Sequence, residues 1–374
     1  MKSEKRANQE VLVTGASGYV GLHCVKELLE QGYSVRGTVR DKNNQQKIGP
    51  LLRMPYANER LELCEANLLN QDDWPGAISG CTFILHVASP WPIVADKSTI
   101  TIAVNGTYNV LHAAAACNTV KKVVITSSCS AINDGWSNDG HVFDESYWSD
   151  LKSSKIENYA RSKTLSEKAA WNYWTSIEHG NKFDLTILNP TFITGPVLSN
   201  VKHGSATIIS RMMDYRTFLA APKASLGVVD VRDVARAHVD ALSNPKTNGQ
   251  RILITSQPSV WFSDWRKWLQ EEFGNKGYRI TPIVAPNWLV KIYSKTGFDE
   301  QAKALIHRIG PELKFDNSKS IELMNIEYMD PKKSLIDMVY SMIDMEMIPK
   351  SKSLQKLNLK KSSDKNQNDV VVSQ

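Results

Sequence analysis

Residues 11–41, VLVTGASGYVGLHCVKELLEQGYSVRGTVRD, restrict this chain's fold more than any other stretch. Val11-Leu12-Val13 is a short apolar run of the kind that forms a buried strand. Gly15, Gly18 and Gly21 follow at even spacing, and Cys24, Val25, Leu28 and Leu29 then recur with helical period. Gly32 is placed as a C-terminal cap, ahead of a second strand from Ser34 to Val39. Strand, glycine turn, helix and strand make the first half of a dinucleotide-binding unit. Gly15 permits the tight turn, Gly18 lets the backbone approach a pyrophosphate, and Gly21 lets the helix lie close to the strand. Free N–H groups and the helix dipole then favour the phosphates. The spacing is G-x-x-G-x-x-G rather than G-x-G-x-x-G. A glycine triplet alone is weak evidence, because glycine is common in loops; the flanking strand and helix supply the context it needs.

The residue closing the second strand bears on which dinucleotide binds. An acidic side chain there holds a ribose 2′-hydroxyl and favours NAD. This chain has Arg40, with Lys47 seven positions on, and two cations suit the 2′-phosphate of NADP(H). Asp41 is adjacent, so the sequence leaves NAD open.

Composition narrows the class. The chain has 374 residues, 42% hydrophobic and 22% charged, which suits a soluble globular protein of more than one domain. The net charge is +6, and the stretch from Lys350 onward holds six lysines against two aspartates, a balance of +4. The rest of the chain is therefore close to neutral, and no basic face implies nucleic acid. Met1 to Glu10 is polar and lacks the apolar core of a signal peptide, and no run approaches the roughly 20 apolar residues of a membrane span. The five cysteines are odd in number and form no C-x-x-C pair, which fits reduced thiols in a cytoplasmic protein. The eight histidines show no metal-binding spacing, so no metal is expected, and His86 and His238 read as packed or surface residues.

Strands are expected at Leu61–Cys64, Phe83–Val87, Lys122–Thr126 and Leu185–Leu188, with helices near Thr99–Cys117 and Asn158–Ile177 between them. Strands alternating with helices imply an α/β, Rossmann-type, doubly wound parallel sheet. After a polar extension over 1–10, a nucleotide-binding domain is expected over 11–190. Prolines at 190, 196, 222, 282 and 286 then punctuate shorter elements, as in a smaller, partly interleaved substrate domain over 191–349. Segments near 228–255 return to the first domain, with Ile252-Leu253-Ile254 as a strand. Trp261, Trp265 and Trp268 form a helical stripe read as core, and a last helix is expected near Ser334–Met347. Residues 350–374 carry too little apolar content to fold and are expected to be a disordered tail.

Tyr159 and Lys163 stand four apart on an expected helix, so their side chains share a face. A phenol is a poor acid–base group at neutral pH, and a neighbouring ammonium lowers its pKa. Such a pair can give a proton to a carbonyl oxygen or take one from an alcohol. Y-x-x-x-K recurs at Tyr328–Lys332, where Pro331 would interrupt a helix, so chance accounts for that copy. Thr126-Ser127-Ser128 closes an expected strand, the end at which open α/β sheets bind ligands, and a serine there can hold a substrate oxygen. A polar strand exit is the plainer account of the same residues.

In this order, the glycine turn, Arg40, the strand-end serine and the Tyr/Lys pair resemble the extended short-chain dehydrogenases/reductases, to about Pro349. VTGASGYVG, TVRD, HVASP, VNGTYNVL, VVITSS, DESYWSD, SKTLSEKAAW and VDVRDVARAHV resemble the dihydroflavonol-reductase-like branch in particular. The resemblance implies an NADPH-dependent reductase of small or aromatic aldehydes or ketones. Ser128, Tyr159 and Lys163 would be the triad, with Tyr159 the acid in reduction, Lys163 also binding the nicotinamide ribose, and Asn105 supporting the proton relay. Gly15, Ser17, Gly18, Tyr19, Val20 and Gly21 would hold the cofactor, with Arg40 and Lys47 at its adenosine end. Asn67 and Leu68 fall where the family usually has Asp-Leu beside the adenine. Val87, Ala88, Ser89 and Thr126 would line the cofactor, and Pro190, Thr191, Phe192 and Ile193 would border the nicotinamide.

Substrate identity is less constrained. Asn133 falls where the flavonoid reductases place a substrate-binding asparagine, but Asp134 to His141 do not follow the plant pattern. The cinnamoyl-CoA reductase form of the tyrosine motif is absent. Trp91, Phe192 and Met212 suit an apolar carbonyl compound, and core packing explains each equally well. A sugar-nucleotide epimerase or sterol dehydrogenase on the same fold is the nearest alternative; uncharged Ala224-Ser225-Leu226-Gly227 disfavours a bound diphosphate. A non-catalytic NADP(H)-sensing module is the alternative of another class, marked by loss of Ser, Tyr or Lys, and all three are present. The expected partner is a small carbonyl substrate, with no nucleic acid and no membrane, and the choice between monomer and homodimer stays open.

Overall fold

The computed structural model describes residues 6, 8–90, 95–137, 140–178, 182–200, 204–295 and 309–355. Its centre is a seven-stranded sheet: β1 (Glu10–Thr14), β2 (Ser34–Val39), β3 (Leu61–Glu65), β4 (Phe83–His86), β5 (Lys122–Thr126), β6 (Asp184–Pro190) and β7 (Gln250–Ile254). All neighbours are parallel, in the order β7-β6-β5-β4-β1-β2-β3. The order reverses between β1 and β4, which places the ligand crevice beyond their carboxyl ends.

Alternation along β1 builds both faces of the sheet. Val11 and Val13 join one core with Leu22, Val25, Leu28 and Val234, whereas Leu12 joins the other with Ile84, Val110 and Val123. The first core lies under α1 (Tyr19–Glu30), the second under α2 (Lys97–Ala116) and α3 (Asn158–Ser176), which pack on each other. A fourth helix, α4 (Val231–Ser243), packs on α1. At the end of α1, Gly32 has φ +91°, and the N–H groups of Gly32 and Tyr33 bond the carbonyls of Leu29 and Leu28. This is a Schellman cap, which a side chain at Gly32 would strain.

A further core forms around α5 (Phe262–Phe273) and α6 (Pro331–Asp344), with Met212, Leu226 and Val260 among its buried members. Trp265 is buried there with its ring centroid 5.1 Å from that of Phe262. Tyr328 lies ahead of α6, which Pro331 opens at its first turn, so Tyr328 and Lys332 share no continuous helix.

The chain stays packed on this core beyond Pro349. The Tyr278 hydroxyl donates to the Pro349 carbonyl at 3.0 Å, and Leu354 is buried. A disordered tail starting at Lys350 is thus corrected through residue 355, because one leucine anchors an otherwise polar stretch. Residues 356–374 lie outside the described residues. No described helix is long and apolar enough to cross a membrane.

Candidate active site

The glycine turn sits at the reversal point. Gly15 has φ +66°, and a Cβ there would stand 3.1 Å from the Cα of Ala88, past the end of β4. A Cβ on Gly21 would stand 2.3 Å from the Gly15 carbonyl oxygen, so only glycine lets α1 start this close to β1. Thr38 braces the turn from β2: its carbonyl accepts from Ala16 N–H and its hydroxyl from Gly15 N–H, each at 3.1 Å. Thr14 braces it from β1, where its hydroxyl accepts from Ala88 N–H at 3.0 Å and meets His86 Nδ1 at 2.9 Å. Burial lowers the His86 pKa to about 3, with Lys163 adding to the effect. Past β4, Val87 packs against the first core, while Ala88 and Ser89 border the same cleft as Lys163.

Arg40 follows β2 directly and is exposed, whereas Arg36 on the same strand is paired with Glu10 and Glu62. Lys47 lies in the first turn of the helix Gln45–Leu52, partly buried, with its N–H capped by the Asn44 side chain. A backbone cradle without room for side chains, flanked by an exposed cation, fits a dinucleotide carrying a 2′-phosphate. Ser17 and Val20 lie in and just after the turn, partly buried. Tyr19 turns away from it, donating to the Gly195 carbonyl at 2.7 Å. Asn67 is exposed and its Oδ1 accepts from Leu69 N–H at 3.1 Å, so the carbonyl half of its amide is used locally. Leu68 packs where a Cβ on Gly106 would stand, and its carbonyl accepts from Asn109 Nδ2 at 2.9 Å.

The turn that Ser128 opens and the helix that carries Tyr159 and Lys163 pack together past the end of β5. Ser128 is buried and caps the short turn Cys129–Ala131, its Oγ accepting from Ser130 N–H at 3.1 Å. That turn packs on α3, which carries Tyr159 in its first turn, partly exposed, and Lys163 one turn later, buried. Lys163 Nζ lies 3.4 Å from the Thr126 carbonyl. Burial lowers its pKa to about 8, and Glu167 opposes the change. The Thr126 hydroxyl meets His238 Nε2 at 2.7 Å, while His238 Nδ1 faces the Val234 carbonyl at 2.7 Å. A carbonyl only accepts, so Nδ1 carries the proton and Thr126 donates.

Two expected residues are not brought into this cluster. Asn105 is exposed on α2; Ala103 and Thr107, one turn apart, are among the buried positions of that stretch, and Thr107 borders the cleft of Lys163. The helix period turns residue 105 away from residues 103 and 107. Met212 is 1% exposed inside the core around α5 and α6, where apolar neighbours account for it. Trp91 lies outside the described residues. Phe192 packs against the same core as Met212, its ring centroid 5.2 Å from that of Trp265. Pro190 ends β6, and Thr191 is buried with its hydroxyl donating to Thr255 at 3.0 Å. Ile193, partly buried, pairs with Val229. Asn133 Oδ1 is buried with no hydrogen-bond partner among the described residues.

Sequence reasoning missed a second layer. Glu167, two turns along α3 from Tyr159, is buried and accepts from Ser127 Oγ, Asn189 Nδ2 and Arg251 Nε. Its i, i+4, i+8 spacing with Tyr159 and Lys163 was visible, but a helical glutamate ordinarily reads as solvated.

A glycine turn at the reversal point of a doubly wound sheet, with serine, tyrosine and lysine beside it, defines the class of nicotinamide-dinucleotide oxidoreductases of the short-chain type. The model of the NAD dependent epimerase/dehydratase family matches residues 11–254, and the chain belongs to that family. Cinnamoyl-CoA reductase 1 of Arabidopsis thaliana is 35% identical over 343 residues, 90% of this chain and 90% of that protein. The bifunctional dihydroflavonol 4-reductase/flavanone 4-reductase of Pyrus communis is 34% identical over 262 residues, 68% of this chain and 74% of that protein. The yeast methylglyoxal/isovaleraldehyde reductase Gre2, solved with NADPH, superposes with a TM-score of 0.74 at 26% identity, over 90% of this chain and 99% of that one.

Proposed function

We propose that this protein is a cytoplasmic NADPH-dependent reductase of small or aromatic aldehydes and ketones. The observation that carries this reading is the buried Lys163 ammonium one helical turn from Tyr159, beside the strand-end Ser128. Residues 11–190 hold the dinucleotide, and 191–349 cover the substrate, with the stretch near 228–255 returned to the sheet. NADPH bound along the glycine turn supplies the hydride. Tyr159 protonates the carbonyl oxygen as general acid, and Ser128 donates a hydrogen bond to that oxygen as charge develops on it. Lys163 favours the phenolate left behind and orients the nicotinamide ribose. Arg40, with Lys47, binds the 2′-phosphate, and Asn133 Oδ1 offers an acceptor to a substrate hydroxyl. Ala224–Gly227, the segment weighed against a sugar nucleotide, is buried and uncharged, and a Cβ on Gly227 would stand 2.7 Å from Thr191, which supports a carbonyl substrate over a diphosphate. Five free cysteines support a reducing compartment.

NADPH oxidation over a panel of aldehydes and ketones tests the reading. Wild type turns over at least one class, and Tyr159→Phe loses about 100-fold or more in kcat. NADPH binding with no turnover across the panel overturns it. Arg40→Ala is expected to cut the preference for NADPH over NADH by about tenfold, read as the ratio of kcat/KM values.

A further inference from the structure

We propose that Glu167 is a positioning residue for the Tyr159–Lys163 pair and the Ser128 turn, acting as a buried carboxylate that locks the catalytic helix to three strands at once. The inference rests on the reductase reading. Glu167 Oε2 accepts from Ser127 Oγ at 2.5 Å, at the end of β5, and from Asn189 Nδ2 at 2.7 Å, on β6. Glu167 Oε1 accepts from Arg251 Nε at 2.7 Å, on β7. Asn189 Nδ2 also reaches the Ser128 carbonyl at 3.1 Å, so the carboxylate holds the peptide of the catalytic serine through one intermediary.

Arg251 extends the lock toward the substrate side. One of its Nη atoms donates to the carbonyls of Glu145 and Tyr147, each at 2.7 Å, and its guanidinium lies 3.6 Å from the Trp148 ring centroid. That segment in turn holds the Ser128 turn: Ser149 Oγ donates to the Ser130 carbonyl at 2.8 Å and accepts from Asp134 N–H at 2.9 Å. Glu167 thus joins the helix that carries the acid to the loop that carries Asn133. A solvated glutamate would make none of these contacts, and a buried one without Arg251 would be uncompensated.

The same carboxylate acts on Lys163 by charge. Lys163 is faced by Glu167 from its own helix, by His86 from β4 and by the Thr126 carbonyl from β5. His86 and His238 are neutral, and Thr107 and Ser127 carry no charge, so Glu167 is the one anion favouring the ammonium among the described residues. Removing it disfavours the charged lysine.

The test compares wild type, Glu167→Gln, Glu167→Asp and the double variant Glu167→Gln/Arg251→Gln. NADPH affinity is titrated from about pH 7 to 10 by fluorescence, alongside kcat, KM and melting temperature. In Glu167→Gln the alkaline loss of NADPH affinity is expected to begin about one pH unit lower, with kcat down about tenfold and carbonyl KM changed less than about threefold. Glu167→Asp keeps the wild-type pH profile. The double variant recovers melting temperature, since no charge is left unpaired, but keeps the lowered pH profile. A wild-type profile in Glu167→Gln, or a profile that returns with stability in the double variant, overturns the proposal and leaves a structural role. The affinity titration needs no turnover: an inactive wild type would sink the reductase reading, while the pH profile still decides this one.

Discussion

Lys163 is a cation in a place where cations are costly. Burial disfavours its charged form, and the Thr126 carbonyl and Glu167 offset only part of that. Its pKa near 8 lies below the ordinary lysine value, so the ammonium is present below about pH 8 and is lost as pH rises through it. Carbonyl reduction is therefore expected to fall on the alkaline side of about pH 8, measured as kcat against pH with NADPH saturating. Asn105 makes the opposite case. Its exposure on α2 predicts that Asn105→Ala leaves kcat and KM within about twofold of wild type. A larger loss would restore it to the site. Both residues stood in motifs legible in the sequence. Only the lysine's face could be read there, because Tyr159 stands one helical turn before it, whereas nothing in VNGTYNVL tells which side of α2 meets the sheet.

At the scale of elements, β2 and β5 have the bounds read from the sequence, Ser34–Val39 and Lys122–Thr126. The helix Gln45–Leu52 was not legible, because Gly49 and Pro50 inside it are breakers by propensity. The glycine turn was legible to the residue, since each glycine answers a separate steric demand. Gly21→Ala places a methyl 2.3 Å from the Gly15 carbonyl oxygen and forces α1 away from β1. The variant is expected to lose about 1–3 kcal/mol of stability and much of its NADPH affinity, measured by denaturant unfolding and fluorescence titration. The Glu167 network was illegible for the converse reason: Ser127, Asn189 and Arg251 are distant in sequence, and only the sheet order makes them neighbours.

For the whole molecule, three histidines buried among the described residues set a limit on acid stability. Burial lowers the pKa of His23 to about 4, of His86 to about 3 and of His238 to about 4. The unfolded chain binds these protons near pH 6.5, so it holds more protons than the fold below about that pH. Melting temperature is therefore expected to drop as pH falls from about 6.5 toward 4, and His238→Gln should blunt that drop. The core around α5 and α6 makes a separate prediction. A chain ending at Pro349 loses the buried Leu354 and is expected to be about 1–3 kcal/mol less stable than one ending at Gln355, by denaturant unfolding.

The Tyr19 hydroxyl and His23 Nε2 reach the carbonyls of Gly195 and Pro196, at 2.7 and 2.8 Å. Both side chains leave the helix that begins at the glycine turn, and both end on the chain just past β6. Anyone grafting the substrate-side half of a relative onto this scaffold must therefore carry residues 19 and 23 with the graft. A transplant cut at the sequence boundary near Pro190 would strand two donors and two acceptors in the seam, and the chimera would fail for reasons unrelated to its new specificity.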